Sequence, residues 1–156
     1  MIRHALLFSI LLSGLVMTAQ DRKYIVLPRP EGVKAAPFSE AVLVGDTLYL
    51  AGQIGLDPKT GKPGATAEEE ARLAMESLKR IMEAAGMTMD DLVSVQVFCS
   101  DVGFFDAFNG VYRTYFRGNY PARAFIGSGK LLFGARFELQ GIAVRKAQAG
   151  MKPVSH

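Results

Sequence analysis

The stretch TAEEEARLAMESLKRIMEAAGMTMDDLVSVQVFCS (Thr66–Ser100) changes its hydrophobic period part-way along. As far as Gly86, apolar residues recur every three or four positions, which predicts an amphipathic helix of about five turns. Thr66 and Glu69 have the spacing of a capping box at the start of this helix, and Gly86 provides a C-terminal stop. Beyond the glycine, apolar and polar residues alternate, which is typical of a strand. The stretch therefore predicts a helix followed by a strand.

One face of this predicted strand carries Val93, Val95, Val97 and Cys99. Side chains two positions apart point to the same face of a strand. We therefore expect these residues to face the core. Cys99 is the single cysteine of the chain, so it cannot form an internal disulfide, and its place beside three valines predicts a buried side chain.

Further elements lie on both sides of this stretch. Gly45-Asp46 separates two apolar runs and predicts a hairpin. The other elements expected from hydrophobic pattern are strands at Arg22–Leu27, Ala122–Ser128 and Ala135–Val144, and a helix at Phe104–Phe116. The order is β-β-β-α-β-α-β-β, an α+β pattern that is satisfied most simply by two helices on one face of a single sheet. The other face would need a partner, so we expect a dimer or trimer.

The first residues have the pattern of a secretory signal peptide. A short basic start precedes Ala5–Met17, a run of thirteen residues without a charge, and Ala19 offers a small residue for cleavage. We therefore expect an exported protein, periplasmic or secreted, with no membrane attachment after cleavage; an uncleaved anchor and a misassigned start are the alternatives. The predicted divisions are a signal peptide at residues 1–19, an N-terminal strand and linker at 20–34, the main domain at 35–146 and a flexible tail at 147–156.

Composition limits the function of the folded part. Removing residues 1–19 removes Arg3 and no acid, so 17 basic residues (18 − 1) remain against 15 acidic ones. This mild balance argues against nucleic acid as a partner. The two histidines are His4 and His156, at the ends of the chain. The body therefore has no histidine for a Ser-His or Cys-His nucleophile or for a histidine zinc site, and we expect no metal.

Two charged residues interrupt the apolar closing strands, Arg123 and Glu138. In a regular antiparallel hairpin they would be near-opposite neighbours with side chains on one face. A guanidinium can hold a substrate carboxylate through two parallel hydrogen bonds, and a nearby carboxylate can activate water or move a proton. A structural ion pair is the alternative explanation.

Five segments of the chain resemble the RidA (YjgF/YER057c/UK114) family in order and spacing. They are AGQIGLDPKTG (Ala51–Gly61), IMEAAGMTMDDLVSVQVF (Ile81–Phe98), FNGVYRTYF (Phe108–Phe116), YPARA (Tyr120–Ala124) and FELQGIAV (Phe137–Val144). The resemblance covers about Ala35 to Arg145. It implies a chorismate-mutase-like α+β fold with a single mixed sheet, and a homotrimer with ligand sites between subunits. It also implies hydrolysis of reactive enamines and imines, such as 2-aminoacrylate, to 2-keto acids and ammonia without a cofactor.

The resemblance also implies roles for individual residues. Arg123 and Glu138 match the family's catalytic arginine and glutamate, Gly52 its ligand-contacting backbone, and Asn109 a pocket asparagine. A glycine that eases a sheet bend and a helix-surface asparagine are the alternatives. The chain departs from the family pattern at three further substrate-binding positions, which are Phe38 in place of tyrosine, Ala51 in place of serine, and Phe125 in place of a small residue.

Three functions remain open from the sequence. The first is an imine or enamine deaminase that acts on small imino acids, with the ring of Phe125 excluding larger ones. The second is a non-catalytic trimeric binding protein for small carboxylates. The third, less favoured by the mild charge and the absence of histidine from the body, is an endoribonuclease.

Overall fold

The structure is a computed structural model that describes residues 20–28, 32 and 34–146. The predicted signal peptide and tail lie outside the described residues. The elements are β1 (Arg22–Ile25), β2 (Ala41–Val44), β3 (Thr47–Ile54), α1 (Ala67–Ala84), β4 (Leu92–Cys99), α2 (Phe105–Tyr112), β5 (Ala122–Gly127) and β6 (Phe137–Val144). Their order confirms the predicted β-β-β-α-β-α-β-β sequence. No helix among the described residues is long and apolar enough to cross a membrane.

The strands form one mixed sheet of six, in the order β1-β2-β3-β6-β4-β5, with both helices on one face. All neighbours are antiparallel except β4 and β5, which are parallel. The two closing strands are therefore not paired with each other, and they do not form the hairpin that would make Arg123 and Glu138 near-opposite neighbours. The connection through α2 returns the chain parallel to β4, as a crossover helix does, and β6 then inserts between β3 and β4. There β6 has a neighbour on each side and can bury its helix-facing residues completely.

Helix α1 begins and ends at the residues that the sequence indicates. The backbone N–H of Glu69 donates to Thr66 Oγ1 at 3.1 Å. The carboxylate of Glu69 reaches one residue further back than in a standard capping box, and accepts from the N–H of Ala65 at 2.8 Å. Gly86 adopts φ 71°, a left-handed conformation that ends the helix. The helix buries seven apolar residues, Ala67, Ala71, Ala74, Met75, Leu78, Ile81 and Met82.

Strand β4 faces the core as predicted, with one exception. Val95, Val97 and Cys99 are fully buried, and burial raises the pKa of the Cys99 thiol. Val93 is instead 45% exposed. The register against β6 shifts between Leu92 and Ser94, so Leu92 takes the buried position and Val93 turns outward.

A buried ion pair fixes the start of β6. Glu70, in the first turns of α1, has no exposed surface and accepts hydrogen bonds from the backbone N–H groups of Arg136 and Phe137. Its second oxygen accepts from Arg136 Nη1 at 2.7 Å. The same guanidinium donates to the carbonyls of Gly64 and Ala65. Both carboxylate oxygens of Glu70 and both terminal nitrogens of Arg136 are thus hydrogen-bonded within the chain.

Candidate active site

Arg123 lies on the helix-facing side of the edge strand β5. It stands in register with Val95 of β4, which is buried beneath the helices. The centre of its guanidinium lies 4.6 Å from the ring centroid of Tyr112 in α2. Three more rings surround it at 5.8–5.9 Å, Phe105, Phe108 and Phe125. These distances are those of cation–π contacts, which hold the cation without neutralising it.

The guanidinium of Arg123 opens into a cleft of about 380 Å³. The described residues that line the cleft are aromatic, amide and cationic, with no carboxylate among them; they are Phe105, Asn109, Tyr112, Arg113, Tyr120, Pro121 and Arg123. Within the part of the chain that the structure describes, Arg123 forms no ion pair. Two arginines without an acid make this cleft attractive to an anion. Asn109 lines it and is 9% exposed, so its amide is no ordinary helix-surface side chain.

Tyr112 stacks beneath Arg123 and carries a polar atom that is buried. Its hydroxyl has no hydrogen-bond partner among the described residues. Burial raises the pKa of this phenol to about 12, although the positive charge of Arg123 acts in the opposite direction. The phenol is therefore neutral at physiological pH, and the cleft keeps its positive charge.

Glu138 lies on the other face of the sheet. It stands in register with Phe98 of β4 and Ile54 of β3, whereas its neighbour Leu139 is buried in the helix-facing core. The carboxylate lies directly over the backbone of Gly52, where an added Cβ would overlap Oε1 of Glu138. Gly52 is thus required by the close approach of the Glu138 side chain. The two explanations offered from the sequence, contact with a ligand and a bend of the sheet, did not include this contact.

The carboxylate of Glu138 opens into a second, larger cleft of about 600 Å³. Phe38, Ala51 and Gly52 line this cleft, together with Gln53, which accepts a hydrogen bond from the hydroxyl of Ser77 at 2.9 Å. Glu138 has neither a hydrogen bond nor an ion pair within the described ranges 20–28 and 34–146. Its carboxylate is available to a ligand or to water.

Arg123 and Glu138 do not meet within one chain. Glu138 pairs with Phe98 and Phe98 with Ile126, so the two charges are two strands and three residues apart. These steps correspond to about 10 Å across the sheet and about 10 Å along it. The side chains also point to opposite faces. Both the predicted near-opposite pairing and the alternative of a structural ion pair are therefore wrong for the single chain.

Phe125 has a packing role in the structure. Its ring meets those of Phe105 and Phe108 edge-on, with centroids 5.1 and 5.6 Å away. Among the described side chains that line the two clefts, Phe125 is not included. It supports the aromatic surface around Arg123 instead of narrowing either cleft. The described residues also contain no cluster of three or more histidine, cysteine, aspartate or glutamate side chains placed to hold a metal ion.

Comparison with known proteins identifies the family. The model of the family described as Endoribonuclease L-PSP matches residues 30–145. A solved structure of RidA from an Antarctic Psychrobacter species is 33% identical, superposes with a TM-score of 0.68, and the match covers 72% of this chain and 92% of that one. The chain belongs to the RidA family. Its six-stranded sheet with two helices is the fold of solved RidA-family structures.

Two further relatives of this RidA-family chain have a named activity or a bound ligand. The rat protein named 2-iminobutanoate/2-iminopropanoate deaminase is 44% identical over 110 residues, which cover 69% of this chain and 80% of the relative. The structure of Escherichia coli TdcF with bound serine is 31% identical with a TM-score of 0.72, and the match covers 80% of this chain and all of that one (100%).

Sequence reasoning missed the two exposed apolar residues beside Glu138 and the buried pair of Glu70 and Arg136. Leu132 and Phe133 continue an apolar run, so they were not distinguishable from core residues by pattern. The glycines that flank their turn, Gly129 and Gly134, both with positive φ, were the signal of a loop. Glu70 was hidden among three consecutive glutamates in the first turn of a helix, where acids are common.

Proposed function

We propose that this RidA-family protein is a hydrolase that deaminates imino acids to 2-keto acids and ammonia. The names of the rat, mouse and human relatives, 2-iminobutanoate/2-iminopropanoate deaminase, at 36–44% identity support this chemistry. The observation that carries the proposal is the pair of charges Arg123 and Glu138, each at the wall of a cleft and each without an ion pair among the described residues. A charge at a cleft wall that no partner in the chain neutralises remains available to a ligand.

Each charge has a role that its surroundings support. In a cleft with two arginines and no acid, Arg123 binds the carboxylate of the imino acid through two parallel hydrogen bonds. Glu138 takes a proton from a water molecule, whose oxygen attacks the imine carbon to give a carbinolamine. The same carboxyl returns that proton to nitrogen, then takes the proton of the new hydroxyl group and passes it to nitrogen as the C–N bond breaks. Ammonia leaves with both protons of the water, and the oxygen of the water remains as the keto group.

The site requires two subunits under this proposal, because Arg123 and Glu138 lie on opposite faces of one sheet. We infer a closed ring of three subunits, in which the β5 edge of one subunit covers the open sheet face of the next. Tyr49 and Ile142 on that face are 51% and 37% exposed, and they supply apolar surface for such a contact. Light scattering of residues 20–156 is expected to give the mass of three chains; a monomer at assay concentration contradicts the shared site.

The activity is tested with imines generated in situ by an amino-acid oxidase, with keto-acid release as the readout. Glu138→Gln is expected to lower kcat by on the order of 100-fold while 2-keto acids still bind. Arg123→Ala is expected to abolish that binding, since one charge-assisted contact contributes about 1.5–3 kcal/mol. Glu83→Gln makes the same chemical change on an exposed part of α1 and is the matched control.

Three outcomes separate the candidate functions. Accelerated keto-acid release that depends on both residues supports the deaminase. Binding of 2-keto acids without acceleration supports the alternative, a trimeric binding protein for small carboxylates. The family description names RNA cleavage, so degradation of a labelled RNA by the parent but not by Arg123→Ala would favour that activity.

Export is a separate proposal, since residues 1–19 lie outside the described part of the chain. We infer from their sequence that they direct the protein to the periplasm or outside the cell. N-terminal sequencing of the protein recovered from its native compartment is expected to begin at or close to Gln20. A protein that retains Met1 and stays with the cytoplasmic fraction contradicts export.

A further inference from the structure

Three large apolar side chains are exposed around the carboxylate of Glu138. Leu132 and Phe133, in the turn between β5 and β6, are 68% and 69% exposed, and Phe38 is 58% exposed. All three line the cleft of about 600 Å³ that contains Glu138. The cleft also has polar lining besides Glu138, from Glu40, Gln53, Ser77 and Arg80. Exposed apolar groups beside a few polar groups are the usual lining of a small-molecule site.

Phe133 is also held in an unfavourable backbone conformation. Its φ is 59°, and it is the one non-glycine residue with positive φ among those the structure describes. A bulky aromatic residue in the left-handed region is strained, whereas asparagine or glycine is tolerated there. Exposure of the ring brings no burial energy that would offset this strain. Folding alone therefore gives no reason for phenylalanine at this position.

We propose that Leu132, Phe133 and Phe38 form a subsite for the side chain of the substrate, and that the preferred imino acids carry aromatic or long aliphatic side chains. This inference rests on the proposed deaminase function and names the substrate class of the same site. With the carboxylate held by Arg123 and the imine carbon at Glu138, the remaining substituent of the substrate extends toward these three residues.

The size of the cleft favours this class over the smallest imino acids. In a single chain the cleft, about 600 Å³ before a neighbouring subunit covers it, leaves room beside Glu138 for a side chain larger than a methyl group. Because Phe125 packs on Phe105 and Phe108, its ring does not impose the size limit expected from the sequence. The inferred preference is the reverse of that expectation.

The test compares the imine of phenylalanine with 2-iminobutanoate, both generated in situ, for the parent and for Phe133→Asn. Asparagine adopts the positive φ of this position, so the substitution removes the ring without disturbing the turn. The subsite predicts that kcat/KM for the aromatic imine falls roughly tenfold, the effect of losing one apolar contact, while the value for 2-iminobutanoate changes less than about twofold. Val102→Asn is the control, since Val102 is 59% exposed and lies outside both clefts.

Each other result overturns the subsite. If both substrates lose activity equally, the ring supports the catalytic geometry and not the side chain of the substrate. If neither changes, the ring does not contact substrate. If light scattering shows that Phe133→Asn alone changes the mass of the assembly, the ring belongs to a contact between subunits.

Failure of the deaminase function is recognised separately. If the parent hydrolyses neither imine, calorimetric titration with phenylpyruvate and pyruvate replaces the kinetic readout. Tighter binding of phenylpyruvate that falls roughly tenfold in Phe133→Asn keeps the subsite and discards the reaction. Equal affinity of the two keto acids for the parent discards the subsite.

Discussion

Two pairs, each of one glutamate and one arginine, differ in whether their charges are neutralised within the chain. Glu70 and Arg136 join α1 to the start of β6, and every oxygen of the glutamate is used by a donor of the same chain. Arg123 and Glu138 have the same chemistry, yet neither forms an ion pair within residues 34–146. Arg123 instead rests among aromatic rings, and Glu138 rests over a glycine.

Under the proposed function, the difference separates charges that serve the fold from charges that serve a ligand. A buried charge that is paired and fully hydrogen-bonded is neutralised within the chain and has nothing left to offer a substrate. Aromatic rings and a glycine give position without neutralisation, so the guanidinium and the carboxylate keep their full charge at the cleft walls. Removing a member of the first pair should therefore affect stability, and removing a member of the second should affect activity.

Glu70→Gln is expected to cause the largest loss of stability, about 3 kcal/mol or more, because it leaves the guanidinium of Arg136 without its buried counter-charge. Urea unfolding measures the effect, with Glu138→Gln as the matched variant. The latter is expected to change the free energy of unfolding by less than about 1 kcal/mol, as exposed or unpaired charges do. Equal losses in the two variants would remove the distinction between the pairs.

Gly52→Ala is expected to lower kcat/KM roughly tenfold or more, because the added methyl group overlaps Oε1 of Glu138 and displaces the carboxylate. Gly118→Ala is the control, since an added methyl group there meets open space. The assay is the same keto-acid release. Full activity in Gly52→Ala would mean that the observed position of the carboxylate is not the one that catalysis needs.

The smallest expected effect is a loss of folding stability at alkaline pH that is due to ionisation of Tyr112. Its folded pKa of about 12 exceeds the unfolded value of about 10, so the unfolded chain loses this proton first as pH rises. The stabilisation is complete below about pH 10 and is lost between about pH 10 and 12, by roughly 1–3 kcal/mol. Unfolding of the parent and of Tyr112→Phe is compared across this range.

The difference between the two curves isolates Tyr112 from Tyr115, whose pKa is also raised by burial and by its hydrogen bond to Glu76. Below pH 10, Tyr112→Phe should be neutral or slightly stabilising, because it removes a buried hydroxyl that has no partner. If the free energies of unfolding of the parent and of Tyr112→Phe fall in parallel above pH 10, a group other than Tyr112 causes the loss of stability.

The sequence was sufficient for the elements of the fold and insufficient for their arrangement. Hydrophobic period and turn residues are local signals, so the order of elements, the N-cap at Thr66 and the stop at Gly86 could be predicted. The insertion of β6 between β3 and β4 depends on contacts between distant segments, which no local pattern encodes.

The site shows the same division between local and distant information. Motifs give Arg123, Glu138 and Gly52 as candidates, and all three line clefts in the structure, but their geometry depends on strand order. A hairpin between β5 and β6 would have put both charges on one face, and the observed sheet puts them on two. The resemblance to the family implies a pocket position for Phe125, and the structure packs its ring against Phe105 and Phe108 of α2.

The shared site between subunits is tested most directly by mixing two inactive variants. Arg123→Ala and Glu138→Gln chains are refolded together in equal amounts and assayed for keto-acid release. In a ring of three, every assembly that contains both variants has one interface with both native residues, so the mixture should recover about a quarter of the parent activity. A mixture that forms mixed trimers and stays as inactive as either variant alone would contradict a site that joins Arg123 of one chain to Glu138 of the next.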